Sequence, residues 1–230
     1  MDFAAQEAHI LSSWHTNAVP WIHAVRERAI ESRRLVTDRA ILDAVRAHSP
    51  HTVLDVGCGE GWLARALGGE GFDVLGIDVV PCLIEAAQGA GGARFRVGSY
   101  ETLLSDAEWS TRPRFDAIVC NFALFGDASV ASLLHGVPRL LSSSGALFVQ
   151  TLHPLMACGD LPYRDGWRPG SWQGFSSDFT DPPPWYFRTL QSWLQLHVES
   201  GLRVLEMREP LHPITGRPTS VIFISSVDAA

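Results

Sequence analysis

The run Val53-Leu54-Asp55-Val56-Gly57-Cys58-Gly59-Glu60-Gly61 is a short apolar stretch that carries one acid and ends in glycines spaced G-x-G-x-G. Gly76-Ile77-Asp78 closes the next apolar stretch with a second acid, about 17 residues beyond the glycines. Glycine permits positive φ and lets backbone approach a ligand, and a helix starting near Gly61 would aim free N–H groups and its positive dipole end into the same space. An acid ending a buried strand needs partners, and ribose hydroxyls supply two hydrogen bonds for it to accept. The spacing therefore points to recognition of a nucleoside-bearing small molecule. A dinucleotide fingerprint would place a third glycine at position 62, where this chain has Trp62, which weighs against a nicotinamide or flavin enzyme.

All 18 basic side chains are arginines, so Schiff-base lysines, P-loop lysines and kinase lysines are excluded, and no side-chain amine is available as a base. Any general base must be His, Asp, Glu or Tyr. His153 follows the apolar run Ala146 to Leu152, at a strand end where open α/β sheets bind ligands, and is the leading catalytic candidate. Tyr163 and Tyr186, in the aromatic stretch that follows, are the others, and no metal site is expected.

These residues need elements to position them. Residues 3 to 48 read as helical, with Ile22, Val25 and Ala29, then Ile41 and Val45, at three- and four-residue spacing; Pro20 suits a first turn, and Thr37 or Asp38 a second N-cap. From 53 to 152, short apolar runs alternate with helical stretches, which implies crossover connections and a parallel, doubly wound α/β sheet. A helix resumes near Arg188, and two closing apolar runs with only a turn between them predict an antiparallel C-terminal hairpin. The expected organisation is a single domain over 1–230: an N-terminal helical cap (1–50), a ligand-binding core (51–152), an aromatic lid insertion (153–187) and a final helix and hairpin (188–230).

On the glycine loop, Asp78 and this alternation, the chain resembles the class I S-adenosylmethionine-dependent methyltransferases, particularly the small-molecule group that includes ubiquinone and menaquinone biosynthetic enzymes. The resemblance spans roughly residues 50 to 152 and, more loosely, the hairpin. It implies a Rossmann-like fold with a mostly parallel seven-stranded sheet, S-adenosyl-L-methionine as cofactor and S-adenosyl-L-homocysteine as product. Carried over, Asp55 and Gly57, with Cys58, Gly59 and Gly61, form the loop that meets the methionine moiety. Asp78 binds ribose and Val79 covers one adenine face. Ser99 and Tyr100 follow the third strand, where relatives usually carry an acid for the adenine amino group. With Ser99 there, that contact is expected from the hydroxyl or the main chain. Asn121 and Phe122 lie beside the sulfonium, and Arg33 or Arg34 pairs with the cofactor carboxylate.

The expected acceptor is a small, apolar or aromatic metabolite, because residues 153 to 193 hold nine of the 22 aromatic residues in a long connection that cannot stay solvated. The alternatives for that stretch are a satellite core or the interface of a homodimer. A net charge of −7 with no basic stripe disfavours nucleic acid, and Asn121-Phe122-Ala123-Leu124 lacks the Asn-Pro-Pro-Tyr of base- and glutamine-directed relatives. An RNA or protein methyltransferase and a non-catalytic cofactor-binding scaffold remain the competing readings. Scattered Cys58, Cys82, Cys120 and Cys158, no leader-like start and no long apolar run lead to the expectation of a cytoplasmic protein away from membranes.

Overall fold

A computed structural model describes residues 3–107, 109 and 112–227. Its centre is a seven-stranded sheet built from β1 (Thr52–Val56), β2 (Asp73–Asp78), β3 (Arg94–Val97), β4 (Phe115–Asn121), β5 (Leu141–Leu152), β8 (Leu202–Arg208) and β9 (Ser220–Val227). The order is β3-β2-β1-β4-β5-β9-β8; the first five strands are parallel, while β9 runs antiparallel to both β5 and β8. This is the doubly wound α/β fold with the antiparallel hairpin that the sequence predicts.

Both faces of the central strands are buried. One packs Val53, Val119, Phe148 and Ile222 under α3 (Asp38–Ala47), α4 (Trp62–Gly68) and α5 (Pro81–Ala90). The other packs Leu54, Ile118, Val149 and Phe223 under α6 (Tyr100–Ser105), α7 (Ala128–Gly136) and α9 (Leu190–Glu199). Strands covered on both sides read as continuous apolar runs, and each fully buried Leu, Ile or Phe contributes about 1.5–3 kcal/mol. The chain winds outward from β1 to β3, then returns to lay β4 on the opposite side of β1, so a crevice opens at the carboxyl ends of β1 and β4. The glycine loop leaves β1 into that crevice.

The cap is α1 (Phe3–Thr16) and α2 (Ala18–Arg26), followed by a π-helical turn, Arg33–Thr37, that runs directly into α3. Pro20 falls in the first turn of α2 as expected. Thr37 does not cap α3: its backbone is already helical (φ −76°, ψ −32°) and its buried hydroxyl has no partner. Residues 153 to 187 contain more regular structure than their composition suggests, a short α8 (Pro154–Ala157) and a two-stranded ribbon of β6 (Gly166–Arg168) and β7 (Trp185–Phe187). Among the described residues, no helix is long and apolar enough to cross a membrane.

Candidate functional site: the crevice between β1 and β4

Packing constrains the glycine loop as much as any ligand would. Gly57 (φ +73°) leaves room for the Ala123 methyl, which a Cβ would overlap, and Gly61 (φ +84°) would put a Cβ 2.6 Å from the Phe95 ring of β3. Gly61 thus provides the close helix–strand approach for which a dinucleotide site uses a glycine at 62. Four of the loop's N–H groups are spent internally. Those of Gly57 and Cys58 donate to the Ile77 carbonyl (2.8 and 2.9 Å), that of Gly59 to Asp78 Oδ2 (2.9 Å) and that of Gly61 to the Cys58 carbonyl (3.0 Å). A pyrophosphate cradle requires such donors to be free.

The charge of the loop is also wrong for phosphate. Asp55, 1% exposed, is pushed up to about 7, first by burial and then by the neighbouring Asp78; its Oδ2 has no partner. Asp78 is raised by burial, against the opposing hydrogen bonds from the Val80 and Gly59 N–H groups. Each Asp78 oxygen accepts one backbone hydrogen bond and keeps capacity for another. Burial holds the Cys58 thiol well above its usual range, so it is inert as a nucleophile. Buried Glu60 is matched by Arg26 (3.0 Å) and Arg65 (2.7 Å), which leaves Asp55 and Asp78 as the acids that a cationic ligand would relieve. The Arg26 bridge also ties α2 to the loop, a pairing with no local sequence signal.

The segment after β4 forms the opposite wall. Asn121 Oδ1 is buried without a partner, and Phe122 takes a left-handed backbone (φ +51°), a conformation costing about 1–3 kcal/mol for a non-glycine residue. Four elements hold this strained corner in place. Phe122 N–H donates to the Gln150 carbonyl (2.8 Å), Tyr100 Oη to the Ala123 carbonyl (2.8 Å) and Tyr186 N–H to the Phe125 carbonyl (2.7 Å). Buried Arg188 donates to the Gly126 and Asp127 carbonyls (2.8 and 2.9 Å) and to Asp127 Oδ1. From α1, Glu7 accepts from the Asp127 N–H (2.8 Å) and the Ser129 hydroxyl (2.6 Å) at the start of α7.

Above the loop, the cap and the insertion dock on each other. Asn17, fully buried between α1 and α2, accepts the Thr180 N–H (2.9 Å) and donates to the Thr180 carbonyl (2.7 Å), while Ser13 donates to the Asp181 carbonyl (2.5 Å). Trp14 lies 5.1 Å from Trp21 and 5.8 Å from both Phe125 and Trp172; Trp172, Phe175 and Phe179 complete the cluster. Val79, Trp14 and Trp21 each pack against the cluster of Ala18, Val80 and Leu83, and a Cβ on Gly59 would lie 3.5 Å from Trp21 Nε1. Trp172 and Phe175 of the insertion therefore find partners on the cap, and Phe179 on Trp172, with Trp21 of the cap beside Gly59 of the glycine loop.

The remaining sequence candidates are spread more widely. Arg33 bonds Asp38 (2.9 Å) and lies over the rings of Trp62 (4.7 Å) and Trp21 (5.9 Å), whereas Arg34 is exposed. Ser99 caps α6 through a reciprocal box with Thr102, so its hydroxyl is already engaged. Tyr163 accepts the Leu190 N–H (2.9 Å) at the start of α9, and the Tyr186 ring lies 4.7 Å from the Arg188 guanidinium. His153, 2% exposed at the end of β5, is bonded through Nε2 to Glu209 Oε1 (2.7 Å).

Comparisons with known proteins agree with this geometry. The profile of the methyltransferase domain family matches residues 24–206. A ubiquinone biosynthesis O-methyltransferase of Xylella fastidiosa is 36% identical over 110 residues, 46% of this chain and 43% of that protein, so the chain matches less than half of this relative's length. An S-adenosylmethionine-dependent methyltransferase from Mesorhizobium loti superposes with a TM-score of 0.60 at 22% identity, over 80% of this chain and 96% of its own. The glycopeptide N-methyltransferase MtfA, in complex with S-adenosyl-L-homocysteine, does so with a TM-score of 0.63 at 15% identity, over 84% and 87%. With its sheet order and this match, the chain belongs to the methyltransferase domain family, the S-adenosylmethionine-dependent transferases built on the seven-stranded sheet.

Proposed function

We propose that this protein methylates a hydroxyl group on a small, apolar or aromatic metabolite. The observation that carries the reading is the edge around the β1–α4 loop, where the N–H groups of Gly57, Cys58, Gly59 and Gly61 are bonded internally and two acids, buried Asp55 of β1 and half-buried Asp78 of β2, face a ligand site. That arrangement rejects phosphates and favours a cation, and S-adenosyl-L-methionine carries both an ammonium and a sulfonium. The orphan Asp55 Oδ2 and Asn121 Oδ1 fit it too, since each lacks the donor that a bound amino acid end would bring. Asp55 would hold that ammonium, with the loop of Gly57, Cys58, Gly59 and Gly61 against the methionine chain. Asp78 would accept the ribose hydroxyls and Val79 would cover adenine. Tyr100 would hold the loop after β4, and Arg34 is the free guanidinium for the carboxylate, since Arg33 is already paired.

Bound there, S-adenosyl-L-methionine supplies a methyl group on a charged sulfur that leaves as a neutral thioether. The protein's own work is then to align, dry the site and remove a proton. Asn121 and strained Phe122 form the wall beside the reacting atoms, and the clamps from Glu7, Arg188 and Tyr100 keep that wall in one position. The cap and the insertion act as a joint lid whose aromatic faces exclude water and select an apolar acceptor. His153 is the base, and Tyr186 and Tyr163 belong to the lid's polar rim. The hydroxyl acceptor is taken from the O-methyltransferase relatives and from the presence of a paired histidine, which an already activated carbon would not require.

Incubation with methyl-labelled S-adenosylmethionine and a panel of mono- and diphenols tests this. Label in an ether product supports the reading; label in RNA or protein, with none in small molecules, would sink it.

A further inference from the structure

The carboxyl end of β5 carries a polar cluster outside the cofactor cradle. His153 is 98% buried and its backbone is fixed, because its carbonyl accepts the Met156 and Ala157 N–H groups (2.9 and 2.8 Å) at the start of α8. Its Nε2 lies 2.7 Å from Glu209 Oε1, one residue past β8, and its Nδ1 is buried without a partner. Leu152 and Ser220 form the last pair of the β5–β9 register, and His153 and Thr219 are the residues next to that pair in the chain; the Thr219 hydroxyl is likewise buried and unpartnered.

An ionised carboxylate only accepts, so the Glu209 contact puts the ring proton on Nε2 and leaves Nδ1 as a lone pair. A charged ring would put an unpaired N–H there instead. Either orphan is unfavourable while unmet, and an incoming O–H satisfies the lone pair. Nδ1 as acceptor and the Thr219 hydroxyl as donor or acceptor together match a hydroxyl group, and neither matches an apolar carbon.

We propose that Glu209 is a positioning residue for methyl transfer: it holds His153 in the Nε2–H form, so that Nδ1 takes the proton of a hydroxyl acceptor steadied by Thr219. This rests on the methyltransferase reading above. As the acceptor oxygen bonds the methyl carbon, its proton passes to Nδ1, and the carbon–sulfur bond breaks with its electron pair left on sulfur. Glu209 then faces the imidazolium across the same hydrogen bond.

Nitrogen-15 NMR of the full-length, histidine-labelled protein reads the tautomer directly. The expected result is an Nε2–H His153 in the wild type near pH 8, lost or mixed in Glu209→Gln and recovered in Glu209→Asp. On the phenol panel, Glu209→Gln should lower kcat tenfold or more with acceptor KM within threefold and S-adenosylhomocysteine affinity unchanged; adding His153→Ala should cost little further. An Nδ1–H wild type, a tautomer indifferent to Glu209→Gln, or fully additive losses would overturn the proposal while leaving the methyltransferase reading intact. A wild type that does not bind S-adenosylhomocysteine would overturn both.

Discussion

The two ends of the crevice are built in different ways. At the glycine-loop end, Asp55, Gly57, Gly59, Gly61 and Asp78 lie within one strand–loop–helix–strand unit, and their partners are groups of that same unit or the residues next to it, such as Ile77 and Val80. At the acceptor end, every wall is assembled from distant chain: Asn17 reaches Thr180, Glu7 reaches Asp127 and Ser129, and Arg188 reaches Gly126. On the proposed reading, the first end would recognise a ligand by local backbone geometry and charge, and the second by a shape that exists only when cap, insertion and the β4 corner are docked. On that reading, the identity of the acceptor would reside in the second end.

If that contrast is right, damage at each end should leave the other measurable. The largest effect is expected for Asp78→Ala, which removes the proposed acceptor of the ribose hydroxyls along with that of the Gly59 and Val80 N–H groups: cofactor affinity should fall 10- to 100-fold by calorimetry, and unchanged affinity would show that the acid is only a loop brace. Asn17→Ala, which deletes the hydrogen bonds that seat the insertion, should cost roughly 2 kcal/mol in denaturant unfolding and raise acceptor KM, with cofactor affinity within about threefold. Equal losses for both ligands would mean the two ends are one unit.

Asp55 gives a pH signature. Its folded-state value of about 7 lies above its unfolded value, so its contribution to stability is fully present below about pH 4 and is lost as pH rises through 7. Binding of a cation needs the charged form, so cofactor affinity should fall about tenfold per unit below pH 7. Asp55→Asn should abolish that slope and raise the melting temperature of the ligand-free protein at pH 8, by roughly 1–3 kcal/mol in stability. A melting temperature that drops would contradict the buried-acid account. The smallest effect is expected for Phe122→Gly: relief of the left-handed strain should stabilise by up to about 1 kcal/mol while turnover declines, and a loss of stability would show that the ring's packing outweighs its backbone.

The same contrast explains what the sequence disclosed. The strands, the glycine loop, Asp78 and the closing hairpin were readable because apolar runs, glycine spacing and strand-end acids are local patterns, and the family resemblance rests on them. Even there, the role of Gly61 against Phe95 needed the third strand in place. The Arg26–Glu60–Arg65 cluster, the Glu7 and Arg188 clamps and the β6–β7 ribbon left no local trace, since their partners are far apart in sequence. The Ser99–Thr102 box was within reach of sequence reading, as Ser followed by a hydrogen-bonding residue three positions on, just before a helix. Thr37 misled because a π turn carries helical backbone straight through a position that resembles an N-cap.

The central claim is that the loop between β1 and α4 is built for a cationic nucleoside and against phosphate. Calorimetric titration of the full chain at pH 8 with S-adenosylhomocysteine and, separately, with NADH tests it most directly. Saturable binding of S-adenosylhomocysteine that weakens as pH falls below 7, with no heat from NADH, is the predicted result. Tight NADH binding with no response to S-adenosylhomocysteine would contradict it.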